Sequence, residues 1–260
     1  MEFKKKVSII TGGSKGIGLS CAEKLASEGS NIFLLSSNLK NLQEASLRIK
    51  KSFDVEVGFE AVDLRLLESC KKGVESALKK FGRCDILVHS AGATKGGIFP
   101  FQPDEDMIDG FALKFHAAVR IARILWSELK KSKGVVINIS GGYARDPSAD
   151  HMVGGAVNSA LSNFSKALAE QGLRDDINVN WINPGMIKTQ RLEHSFHTRS
   201  IQQKKSINQL KSETMTLKGI RRLGEPEDVA SLVLFLCKKE ARHIQGCGIN
   251  IDGGENKSYF

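Results

Sequence analysis

An alternation constrains this chain more than any other feature. Short apolar runs are followed by longer amphipathic stretches, and the pattern repeats almost from end to end. It predicts strands at 7–10, 31–35, 55–62, 85–89, 135–139, 178–182 and 248–251. It predicts helices from a glycine loop through residue 27 and over 39–51, 66–81, 107–131, 153–171 and 226–238. A strand, a helix and another buried strand join in parallel, because the helix carries the chain back across the sheet. The expectation is an α/β fold: a Rossmann-type doubly wound parallel sheet with helices on both faces. No internal repeat, low-complexity linker or composition break divides the sequence, so one domain over 1–260 is the economical reading.

Charge and cysteine usage narrow the setting. The apolar run at 7–10 is far too short for a signal peptide or a membrane span, so a cytoplasmic protein without a membrane partner is expected. Cys21, Cys70, Cys84, Cys237 and Cys247 form no CxxC pair, which points to reduced thiols and no metal site. The net charge is +9. Between Lys188 and Arg222, nine Lys/Arg face only Glu193 and Glu213. Phe196 is the one aromatic residue in that stretch, so stacked bases have no platform there and no nucleic-acid partner is expected.

Thr11-Gly12-Gly13-Ser14-Lys15-Gly16-Ile17-Gly18 lies between a predicted strand and a predicted helix. Glycines there allow a tight turn and let backbone approach a pyrophosphate, which then sits on the helix N-terminus. The spacing T-G-x-x-x-G-I-G resembles the short-chain dehydrogenase/reductase family rather than the G-x-G-x-x-G of other Rossmann proteins. Further segments extend the resemblance over nearly the whole chain. Asp63, followed by Leu64, matches the family aspartate at the adenine. His89-Ser90-Ala91-Gly92 is similar to the family's N-N-A-G, with both asparagines replaced. Asn183-Pro184-Gly185, with Ile187 and Thr189, is similar to P-G-x-x-x-T, whose threonine holds the nicotinamide carboxamide. Arg222–Ala230 and Asp252-Gly253-Gly254 resemble the C-terminal signature. The resemblance implies a dinucleotide-dependent oxidoreductase acting on a small molecule, and a homo-oligomer, tetramer or dimer.

Cofactor choice follows from charge. An acid after the second strand would hold a ribose 2′-hydroxyl and repel a 2′-phosphate. This chain has Ser36-Ser37-Asn38 there, with Lys15 in the glycine loop, so NADP(H) is expected in preference to NAD(H).

The family's catalytic tetrad does not align. Through the strand at 135–139, its serine falls on Gly141, its Y-x-x-x-K tyrosine and lysine on Gly154 and Asn158, and its helix asparagine on Leu113. Tyr143 and Tyr259 are the only tyrosines, and neither is followed by a lysine at the required spacing. Asn158 remains a candidate cofactor contact. Substitute acids or bases are sought on the loop beside the substrate pocket: His151 first, because histidine titrates near neutrality, then Tyr143, and Ser140 if the register slips by one. The function expected is an NADP(H)-dependent oxidoreductase with a non-standard active site, suited to a conjugated acceptor. The alternative is a catalytically silent NADP(H)-binding sensor or scaffold. The basic segment at about 186–219 would form a substrate cover and would favour an anionic substrate.

Overall fold

The computed structural model describes residues 2–258, which leaves Tyr259 outside the described residues. Among them, seven strands form one parallel sheet: β1 (Val7–Thr11), β2 (Asn31–Ser36), β3 (Val57–Ala61), β4 (Ile86–His89), β5 (Val135–Ile139), β6 (Asn178–Pro184) and β7 (Gly248–Ile251). Their order is β3-β2-β1-β4-β5-β6-β7. Strands β1, β4, β5 and β6 are buried along their whole length, because helices cover both faces of the sheet.

One face carries α1 (Gly16–Ser27), α2 (Leu39–Ser52) and α9 (Pro226–Leu236) around a core that includes Leu25, Ile49 and Val233. The other carries α3 (Leu67–Phe81), α5 (Ala117–Ser132) and α6 (Met152–Asp175), around Val74, Leu125 and Val179. Each apolar stripe faces the sheet and each polar stripe faces water, as the helical spacing requires.

The long helix expected at 107–131 is built differently. It begins earlier as α4 (Asp104–Gly110), passes through a π-helical turn at Phe111–His116, and continues as α5. A π turn holds one extra residue and rotates the side chains that follow it. Apolar periodicity does not record that insertion. In the stretch 186–219, α7 (Gln190–Gln203) and α8 (Ile207–Lys218) form a small helical pair. Phe196, Leu210, Ile220 and Leu223 give it a core of its own.

The chain order reverses between β1 and β4. The crevice beyond the C-terminal ends of those two strands is where an open α/β sheet places its ligand. Loops from β1, β4, β5 and β6 converge there, and α7 and α8 follow directly on the β6 loop.

Candidate active site

The floor of the site is the glycine loop after β1. Gly12 has φ +66°, and a Cβ there would lie 2.8–2.9 Å from the backbone of Ser90 and Ala91. The loop therefore runs hard against the extension of β4. The Thr11 hydroxyl accepts a hydrogen bond from the Ala91 N–H at 3.1 Å and fixes that approach. Lys15 is the N-cap of α1, yet no side chain caps the helix. The first N–H groups of α1 therefore remain available to an anion. The residues fit a dinucleotide pyrophosphate: a bent glycine loop with uncapped helical donors above it.

The end of β2 carries no acid. The Ser36 hydroxyl shares a hydrogen bond with that of Ser14 at 2.9 Å, joining the two strand ends. Ser37 is exposed, and Asn38 caps α2 by accepting from the Asn41 N–H at 2.9 Å. Lys15, next to Ser14 in the glycine loop, is exposed. Asp63 accepts from the Arg65 backbone and forms an ion pair with its side chain, and Arg65 also pairs with Asp109. Leu64 is buried behind it.

The segment after β6 closes the loop from above. Pro184 and Ile187 are buried, and Ile187 pairs as an isolated bridge with Gly224. Gly185 packs against Asp252, where its missing Cβ leaves room. The Thr189 hydroxyl caps α7 by accepting from the Leu192 N–H, and its methyl group lies near Gly16.

On the far side the structure sets Asn158 of α6 against Gly141 at the end of β5, with Gly154 one turn earlier on α6. A Cβ on Gly141 would lie 2.7 Å from the Asn158 Nδ2, so the amide occupies the room a larger residue would need. Asn158 is buried, and its Oδ1 has no partner among the described residues. Beside Gly154 the neighbour is the Thr94 Oγ1, 3.1 Å from a would-be Cβ. Ser140 is buried and turned toward α6: its hydroxyl donates to the Asn158 carbonyl at 3.0 Å and meets the Ser162 hydroxyl at 3.0 Å.

Tyr143 and His151 stack ring on ring, with centroids 4.7 Å apart, on the loop that precedes α6. The imidazole borders Gly96 of the loop after β4, so the pair lines the mouth of the site. Desolvation raises the Tyr143 phenol above its ordinary value, the Lys218 ammonium partly opposes this, and the carboxylates of Glu255, Asp146 and Asp150 add to it. That phenol therefore stays protonated at neutral pH.

Sequence reasoning missed Lys114. Within the π turn Leu113 packs, partly buried, against the core, and Lys114 lies on the crevice side. The Lys114 stem lies on Gly92, whose would-be Cβ is 2.8 Å from its Cδ, and its Nζ donates to the Ser140 carbonyl at 2.9 Å. Burial, and after it the Arg191 guanidinium, lowers the ammonium to about 7. Arg191 itself reaches across from α7 to the Gly92 carbonyl.

The basic segment is more neutral than its composition implies. Lys188, Lys205, Lys211, Lys218 and Arg222 form ion pairs with Glu225, Glu213, Glu193, Glu255 and Asp228. Three of those acids come from outside 188–222, which is why counting along the chain overstated the field.

His89, at the end of β4, is 4% exposed, and its Nε2 has no partner among the described residues. Burial lowers it from 6.5 to about 3. The unfolded chain therefore binds a proton that the folded one refuses, and stability falls as pH drops from 6.5 toward 3. By pH 4 the loss reaches about 3 kcal/mol. His89→Asn is expected to remove most of that slope in urea unfolding at pH 7 and pH 4. An unchanged slope would mean that other groups set the acid limit.

Relatives match nearly the whole chain. A family model described as "Enoyl-(Acyl carrier protein) reductase" matches residues 12–256. The chain is 31% identical to the NADPH-dependent reductase BacG of Bacillus subtilis, over 98% of this chain and 100% of that protein. It is 30% identical to a probable 2,4-dienoyl-CoA reductase of the same organism, over 97% of each chain. The crystal structure of L-sorbose reductase from Gluconobacter frateurii, complexed with NADPH and L-sorbose, superposes with a TM-score of 0.95 at 33% identity, covering 99% of each chain.

Proposed function

This chain belongs to the short-chain dehydrogenase/reductase family, and on that premise we propose that it is an NADP(H)-dependent oxidoreductase with a non-standard active site, acting on a small conjugated acceptor. The observation that carries the cofactor reading is the acid-free end of β2, where the Ser14 and Ser36 hydroxyls bond and their chain neighbours Lys15 and Ser37 are exposed. A 2′-phosphate would find hydroxyls and an ammonium there and no repelling carboxylate. BacG is named for NADPH, and L-sorbose reductase was crystallised with it.

Bound NADPH would supply the hydride. The residues of this chain would do the rest. The glycine loop and the α1 N-terminus would hold the pyrophosphate, Thr189 and Ile187 would border the nicotinamide, and Tyr143 with His151 would wall the acceptor site. The conjugated acceptor follows from Gly141 and Gly154, which bring no hydroxyl to a carbonyl oxygen. Delocalised charge needs less local stabilisation. The dienoyl-CoA reductase relative, whose name gives it a conjugated substrate, fits that class.

Calorimetry tests the cofactor choice. NADPH is expected to bind more tightly than NADH. Lys15→Ala should weaken NADPH by about 10- to 100-fold, the worth of one charge-assisted hydrogen bond, and leave NADH unchanged. Ser36→Asp should weaken NADPH at least as much. Equal affinity for the two dinucleotides in the wild type would overturn the reading.

One observation favours a silent NADP(H)-binding sensor instead. The Ser140 hydroxyl is engaged within the core, and the Asn158 amide occupies the space beside Gly141. Tight NADPH binding without oxidation by any enone or quinone would decide for that reading.

A further inference from the structure

The chemistry-bearing side chain of this crevice that no motif marks is Lys114. It stands at the C-terminal edge between β4 and β5, held by its stem on Gly92 and by its Nζ on the Ser140 carbonyl. Its placement depends on the π turn Phe111–His116, without which helical periodicity would carry the chain through the site differently. Among the described residues neither Lys114 nor Arg191 forms an ion pair, although Lys188, Lys205, Lys211 and Lys218 of the segment around α7 and α8 do. Lys114 faces a backbone carbonyl and a second cation.

We propose that Lys114 is the proton donor of the site, delivering its ammonium proton to the acceptor as hydride arrives. The inference rests on the oxidoreductase reading above. In the step, the acceptor gains a hydride from the reduced dinucleotide and a proton from Lys114. The substrate is reduced by two electrons, the dinucleotide leaves oxidised by two, and the neutral amine takes a proton back from water. Arg191 leaves the developing anion flanked by positive charge.

The surroundings suit the role. β4 ends in His89, which burial keeps neutral. β5 and the first two turns of α6 carry no ionisable side chain. The loop after β4 contributes Lys95, which is paired with Asp106. α4 and the π turn contribute Asp109, paired with Arg65, and His116. The loop after β5 contributes Tyr143, Arg145, Asp146, Asp150 and His151 at the mouth, and α7 contributes Arg191. The low-dielectric position and the like charge of Arg191 both loosen the proton, which brings the donor near working pH, where general acids are most effective.

Three measurements on the full chain test this. First, with ¹³Cε-lysine labelling, the resonance missing from Lys114→Met is expected to titrate near 7 in the protein without cofactor. Second, NADPH affinity of Lys114→Met, by fluorescence, is expected to stay within about tenfold of wild type, showing an intact dinucleotide site. Third, single-turnover NADPH oxidation is followed with the fastest acceptor from a panel of enones and quinones. The wild-type rate should fall as pH rises through the Lys114 titration. In Lys114→Met it should drop by about 10²–10⁴-fold and lose that pH dependence. Lys114→Arg keeps the charge but holds its proton, and should stay as slow. Titration above 9, an unaltered pH profile in Lys114→Met, or rescue by arginine each overturns the proposal, as does NADPH that binds and is never oxidised. Failure of the wild type to bind NADPH would instead overturn the function reading, and the titration would still report on Lys114.

Discussion

Simple ketones are expected to be turned over at least about 100-fold more slowly than conjugated enones or quinones of similar size. The difference comes from the oxygen of the acceptor. A positioned donor to a developing oxyanion contributes roughly 10²–10³-fold, and Gly141 offers none. Lys114 supplies a proton and not the second, orienting donor that would hold a ketone oxygen in place. Conjugation spreads the charge, so the missing donor matters less. The measurement is NADPH absorbance over a matched series such as cyclohexanone, cyclohexenone and benzoquinone. The same geometry dictates how a donor could be restored. Gly141→Ser alone should destabilise the protein, since its Cβ would lie 2.7 Å from the Asn158 Nδ2. Overpacking of this kind costs about 1–3 kcal/mol. Combined with Asn158→Ala the serine has room, and ketone turnover should rise. Brisk wild-type turnover of cyclohexanone would show that another group already holds the carbonyl.

Gly18→Ala is expected to abolish dinucleotide binding, weakening it by more than about 10³-fold, which corresponds to roughly 4 kcal/mol. A Cβ on Gly18 would overlap the Gly12 carbonyl oxygen and lie 2.8 Å from its carbon. Both partners are backbone, so no rotamer change relieves the contact. Either α1 must move away from the loop, or Gly12 must leave the conformation, φ +66°, that lets it pass Ser90 and Ala91. Each route spoils the alignment of loop and helix donors on which the pyrophosphate depends. Calorimetry reads the affinity, and thermal unfolding separates a shifted loop from a collapsed fold. Retained NADPH affinity in a folded Gly18→Ala protein would show that the pyrophosphate does not bind on this loop.

The sequence by itself determined the order of elements, the parallel sheet, the glycine loop and the missing acid after β2. All of these are encoded locally: periodicity follows from which face is buried, and turn glycines follow from backbone sterics. The resemblance put the family's catalytic positions on Gly141, Gly154 and Asn158, and the structure sets the Asn158 amide against Gly141. The tertiary structure alone decided what depends on contacts between distant segments. Ser140 turned toward α6 because Asn158 and Ser162 offered partners. The basic segment lost much of its field because Glu225, Asp228 and Glu255, from later in the chain, fold back onto Lys188, Arg222 and Lys218. Lys114 was invisible because a π turn adds a residue without changing composition or apolar spacing enough to notice. The ungapped alignment with the family put its helix asparagine on Leu113. Leu113 packs, partly buried, against the core, and the site gains an amine whose proton affinity is lowered by burial and by Arg191 of α7, which no stretch of sequence around it contains.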